Sequence, residues 1–102
     1  MLKVVRTPKY NKLMLYDFSS EKNKLLFEER GVTFQHVIES ISDKGVLIDF
    51  QHPNVEKYPR QRIFVVDIFE YTYCVPYVEG DGIIFMKTIF PSRKFLYLLG
   101  NK

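Results

Sequence analysis

Gly31-Val32-Thr33-Phe34-Gln35-His36-Val37-Ile38-Glu39-Ser40-Ile41-Ser42-Asp43-Lys44-Gly45 decides the class of fold, because the hydrophobic period changes from helical to two just beyond it. Phe34, Val37, Ile38 and Ile41 fall at i, i+3, i+4 and i+7, which gathers apolar groups into one stripe of a helix. Thr33 stands in front of them as an N-cap, and Val32 and Val37 take the positions of a hydrophobic staple across it. Gly45 ends the run. Upstream, Ser19 is a second N-cap, with Glu21 in the first turn where the helix dipole favours an acid. That helix runs from Ser20 to about Arg30, and Gly31 suits the left-handed residue after it.

Downstream of Gly45 the pattern alternates. Residues 46–50 read as a strand, followed by a polar loop over residues 51–59 with Pro53 and Pro59. Residues 62–69 and 71–78 are β-branched and aromatic, separated by a tight turn at Glu70. Glu79-Gly80-Asp81-Gly82 is a hairpin turn, because Asp-Gly tolerates positive φ. Residues 83–90 make a last strand, and Pro91-Ser92 opens a short helix from Arg93 to Leu99, stopped by Gly100. Pro76 lacks a ladder donor, so its strand lies at an edge or bulges there. Two helices followed by adjacent strands predict an α+β fold: an antiparallel sheet with both N-terminal helices on one face and a short C-terminal helix. The opposite sheet face is then free for a ligand or partner. Residues 1–13 read as a basic arm or a short strand, and residues 14–102 as a single domain.

Composition narrows the function classes. The 102 residues are 46% hydrophobic and 26% charged, which describes one ordinary globular domain rather than a disordered tail or a multidomain enzyme. A single cysteine, Cys74, precludes an internal disulfide and a Cys-rich zinc site, and suits a reducing cytosol. No apolar run is long enough for a signal-peptide core or a membrane span, so neither export nor a membrane is expected. The net charge of +3 is mild, but its placement is uneven. Lys3, Arg6, Lys9 and Lys12 at one end, and Lys87, Arg93, Lys94 and Lys102 at the other, carry +8 with no acid among them. Between them seven bases meet twelve acids, leaving −5.

Lys87, Ser92, Arg93 and Lys94, at the end of the last strand, are the most suggestive cluster. Arginine offers a rigid fork matched to phosphate oxygens and lysine a compact charge beside it, a pairing able to hold a scissile phosphate and stabilise charge developing on it. The plainer account is a solvated start to a terminal helix, since charge runs usually face water. Arg62 opens a strand in parity with Phe64, Val66 and Ile68; it joins the cluster only if folding brings Lys87 or Arg93 alongside. Tyr71, Tyr73 and Tyr77 share a strand face with Val75, a row on which single-stranded bases could stack, or else a half-buried face with hydroxyls reaching water. His36 and His52 are proton carriers by type only, since nothing in their spacing pairs them. The sequence holds no HExxH, Gly-rich phosphate loop or GxSxG, so no metal site and no cofactor are expected.

Taken together, Tyr16-Asp17-Phe18, Glu21-Lys22-Asn23, Arg30-Gly31-Val32-Thr33-Phe34, Gln61-Arg62-Ile63-Phe64 and Ser92-Arg93-Lys94 resemble the BrnT toxins over about residues 15–97. The resemblance implies a RelE-like fold, a cytoplasmic toxin of a type II toxin–antitoxin pair, and metal-independent cleavage of RNA. It also implies a cognate antitoxin encoded nearby, and a dimer or a toxin–antitoxin assembly. Arg62, Arg93 and Lys94 match family positions that bind and cleave RNA, and become the expected catalytic residues with Tyr97, one turn beyond the pair, as proton donor. Lys87, Ser92, Tyr71 and Tyr73 are the expected substrate contacts. Three departures remove proton-transfer groups: Arg30 replaces a family histidine, Thr88 stands at the family's basic position in the last strand, and Phe95-Leu96-Tyr97 follows the basic pair where an acid is common. They leave open a second expectation, a non-catalytic RNA- or protein-binding module on the same scaffold. A small-molecule enzyme is the weakest reading, since no polar triad is visible.

Overall fold

The computed structural model describes residues 2–7 and 12–100. Its elements, in order, are β1 (Leu2–Thr7), β2 (Lys12–Asp17), α1 (Ser20–Arg30), α2 (Phe34–Lys44), β3 (Ile48–Gln51), β4 (Gln61–Ile68), β5 (Tyr71–Gly80), β6 (Ile83–Met86), β7 (Phe90–Pro91) and a C-terminal 3₁₀ helix (Arg93–Leu99). The fold is α+β. Strands run β1-β2-β6-β5-β4-β3 across one sheet, and β7 pairs with β5 beyond the end of β6. β1 lies within the stretch read as an arm or short strand, while residues 1 and 8–11 of that stretch fall outside the described residues. Every pairing is antiparallel except that of β2 with β6. The sheet is thus mixed at that contact: the chain leaves β2 through the helix pair, and the β3-to-β6 meander returns beside β2 in the same direction.

Local chemistry explains the helices. The Ser19 side chain accepts a hydrogen bond from the Lys22 amide, and Gly31 closes α1 at φ 71° while donating to the Phe27 carbonyl. Thr33 and His36 form a reciprocal capping box: Thr33 Oγ1 accepts from the His36 amide at 3.2 Å, and His36 Nδ1 accepts from the Thr33 amide at 3.0 Å. α2 buries Phe34, Val37, Ile38 and Ile41, the stripe predicted from spacing. α1 fully buries only Leu26 and is held by polar ties. Asn23 donates to Gln35 Oε1 and accepts from the Phe34 amide, and Arg30 donates to the Ile89 carbonyl at 2.7 Å. Arg30 therefore pins the end of α1 to the Ile89 carbonyl, 59 residues on.

The sheet is packed on both sides, which is why β4 is buried continuously from Ile63 to Ile68. Phe64, Val66 and Ile68, with Val75, Tyr77, Ile84 and Met86, meet the helices; each large apolar side chain fully buried there contributes ~1.5–3 kcal/mol. Ile63, Val65 and Cys74 face the other way and receive Phe95, with Phe50 and Leu98 half-buried around them. The face expected to be bare is therefore covered over β5, β4 and β3 by the C-terminal 3₁₀ helix. Its threefold repeat aligns Phe95 and Leu98 in one inward row and places Lys94 and Tyr97 in another. Tyr97 is 69% exposed.

Two hairpins and a bulge set the rest. Asp81 and Gly82 both take positive φ, as the Asp-Gly pair predicts. Phe69 and Glu70 do the same without glycine, helped by Asp67 Oδ1, which accepts from the Glu70 amide at 2.9 Å. The last strand is not continuous. Tyr77 pairs with Met86 and Cys74 with Phe90, so the two residues Val75 and Pro76 face the three residues Lys87, Thr88 and Ile89. One residue is extra, a β-bulge. The Lys87 amide donates to the Pro76 carbonyl at 2.8 Å, so the missing Pro76 N–H lies on that same side, where the ladder breaks. Pro76 thus sits in a central strand, opposite the bulge it helps to impose.

Candidate functional site

The bulge determines what the last strand presents. Met86 and Ile89, three apart, both turn into the helix-side core. Lys87 and Phe90, in register with Pro76 and Cys74, both turn to the opposite face. There the Lys87 ammonium lies 5.2 Å from the centre of the Phe85 ring. Two residues along β5, about 7 Å away, Cys74 pairs with Phe90, and Thr72 beyond it pairs with Ser92, on the side where Lys94 lies near enough for its charge to act on the Cys74 thiol. β5 thereby brings Lys87, Ser92 and Lys94 onto one face, and the 3₁₀ helix adds Arg93 and Tyr97. Among the described residues, none of Lys87, Arg93 and Lys94 has an ion-pair partner within 4 Å. Ser92 is fixed rather than free: its amide donates to the Thr72 carbonyl, and its own carbonyl accepts from Thr72 Oγ1.

Arg62 is elsewhere. It shares the helix-covered side of the sheet with Phe64 and pairs across β4–β5 with Tyr77, whereas Arg93 and Lys94 stand on the other side. The single pocket expected from Arg62, Arg93 and Lys94 does not form. The physical reason is parity: Arg62 alternates with Ile63, and only Ile63 meets the 3₁₀ helix. Arg62 Nε instead bonds Asp49 Oδ1 at 3.0 Å, and the Tyr77 hydroxyl donates to Asp49 Oδ2 at 2.7 Å. Burial works against the Arg62 charge, but Asp49 and Tyr77 outweigh it and hold the guanidinium above its ordinary range.

Tyr71 and Tyr73 also lie on the helix side, edge to face with centroids 5.9 Å apart, and Tyr73 packs against the core. Their shared face is the predicted one; it is the side of the sheet that carries the helix core, and both rings are half-buried there. His36 is spent on the α2 cap and rests against Phe69. His52 Nδ1 accepts from the Asn54 amide, with its ring beside Tyr58. Among the described residues no group of three metal-ligating side chains gathers.

Sequence reasoning missed three participants. Phe85 shares parity with Lys87, a signal legible in the strand; Phe90 reaches the face only because of the bulge. Arg60, in a loop, borders an open cavity of about 470 Å³ over Val78, Ile83 and Phe85. Beneath the cluster, burial pushes the Cys74 thiol up, while the Ser92 hydrogen bond and the Lys94 charge pull against it. The thiol is therefore a packed, protonated group and not a nucleophile at neutral pH. Below a thiol's ordinary 9.0 both folded and unfolded chains keep this proton; above it the unfolded chain loses it first. Stability is expected to fall as pH rises beyond 9.0 toward the folded thiol's higher value, and Cys74→Ala should flatten that slope in urea titrations from pH 7.5 to 10.

The molecule is an α+β sheet protein with a nearly charge-balanced helix layer on one side and a cationic, aromatic face on the other. No helix is long and apolar enough to cross a membrane. No family model, curated protein or solved structure gives a significant match to the chain.

Proposed function

We propose that the chain is an RNA-binding protein on a BrnT-like, RelE-like scaffold, and that single-stranded RNA lies on the face formed by Lys87, Phe90, Arg93, Lys94 and Tyr97. The observation that carries this reading is the bulge at residues 87–89, which turns Lys87 and Phe90 to the side where the 3₁₀ helix presents its cations. Ammonium and guanidinium groups meet phosphates, and the Tyr97 and Phe90 rings offer faces to unstacked bases. In such a pair the partner is a cognate antitoxin that covers this face with complementary charge, in the cytoplasm.

Binding is favoured over cleavage by the composition of the face. Attack of a 2′-hydroxyl on its neighbouring phosphate needs a base, an acid and support for the developing charge. Lys94 and Arg93 supply the support, but each imidazole has its Nδ1 taken by a backbone amide and Arg62 belongs to Asp49. The second reading, a metal-independent endoribonuclease toxin, rests on one feature: Lys94 and Tyr97 share a row of the 3₁₀ helix, which puts an exposed phenol able to donate a proton one turn from a cation whose ammonium rests over the Phe95 ring.

The two readings separate in one experiment, incubation of purified protein with labelled single-stranded RNA in chelator. RNA binding without scission is the expected result. Scission lost in Tyr97→Phe while binding persists would establish the second reading, and absence of both binding and scission would defeat the pair.

A further inference from the structure

The same face continues past Phe85 into the open cavity at the β5–β6 hairpin. We propose that this groove is a subsite for one unstacked nucleobase, which makes the ligand single-stranded rather than duplex RNA; the inference rests on the RNA-binding reading above. The floor is apolar, built from Val78, Ile83 and Phe85, with Glu79 the one acid in the lining, and its volume of about 470 Å³ accommodates a flat heterocycle at an open mouth. Cations stand at two sides: Arg60 on the rim, and Lys87, whose ammonium rests over the Phe85 ring. A base entering the groove takes the ammonium's place on the ring, and Lys87 turns to the adjoining phosphate.

The third element is Gly80. It lies in parity with Val78, so the hydrogen on its Cα faces the groove. A Cβ added there meets nothing within 4 Å, and its backbone is not in the left-handed region. No turn or steric contact requires glycine at this position, and its lack of a side chain is what leaves the groove open. A fully paired duplex meets this arrangement only with its phosphates, since its bases cannot leave the stack without cost.

The test uses Gly80→Leu, which fills the groove without backbone strain, and Phe85→Leu, which keeps apolar bulk and removes the ring. Unfolding midpoints verify that each variant folds. Fluorescence anisotropy is read with a ten-nucleotide single-stranded RNA, with a ten-base-pair RNA duplex, and with heparin as a base-free polyanion. The expected result is at least tenfold tighter binding of the single strand than of the duplex, and about a tenfold loss of single-strand affinity in each variant with heparin binding unchanged. Single-strand binding that survives both substitutions, or wild-type protein that binds strand and duplex alike, overturns the subsite and leaves the cationic face standing. Failure of wild-type protein to bind any RNA overturns the subsite together with the reading beneath it.

Discussion

Removing Lys87, Arg93 and Lys94 together (K87A/R93A/K94A) is expected to weaken single-stranded RNA binding about 100-fold in 0.1 M salt. The figure follows from counterion release. Each phosphate neutralised on a single strand changes the slope of log affinity against log salt by about 0.7, so three contacts account for about two logarithmic units at 0.1 M. Two measurements check it: the affinity itself, and a salt slope less steep by about 2 in the triple variant. Stability should change little, because all three cations are exposed and have no ion-pair partner among the described residues. A triple variant with wild-type affinity and slope would place the RNA on another surface.

The second large effect is at Asp49, and it concerns stability. Its carboxylate is 6% exposed and accepts from both Arg62 and Tyr77. Asp49→Ala leaves the buried Tyr77 hydroxyl without that partner and a guanidinium without its counter-charge. The expected loss is about 2–3 kcal/mol, discounted because the Arg62 side chain is 47% exposed and can turn to water. Urea unfolding measures this directly, and Tyr77→Phe should cost about 1 kcal/mol by the same route. RNA affinity of folded Asp49→Ala should stay within about twofold of the parent, since this network stands on the far side of the sheet from Lys94. A large affinity loss there would return Arg62 to the RNA site.

These effects divide along the line between what the chain order reveals and what it hides. The helices were legible because their information is local: Thr33 before an i, i+3, i+4, i+7 stripe and Gly31 after Arg30 each act within one turn. The Asp81-Gly82 hairpin was legible for the same reason. Pro76 announced a fault in its strand, but not that the fault lies in the partner, where an extra residue among Lys87, Thr88 and Ile89 resets parity. The side each strand face turns to was hidden, because alternation gives two faces without saying which one the helices take. Arg62 was misplaced by that ambiguity. Asp49 was missed because its role depends on β3 pairing with β4, a contact between residues 13 apart in sequence for which no local pattern speaks. The cationic cluster fared better: Lys87, Ser92, Arg93 and Lys94 are near in sequence, and one bulge suffices to bring them onto a common face.

Backbone and side-chain NMR of the labelled protein, titrated with a short single-stranded RNA, tests the central claim most directly. The account predicts that shifts concentrate at Lys87, Phe90, Arg93, Lys94 and Tyr97, with α1, α2 and Arg62 unmoved. Shifts centred on Arg62 and the helix layer, or none anywhere on the sheet face beyond Phe85, would contradict it.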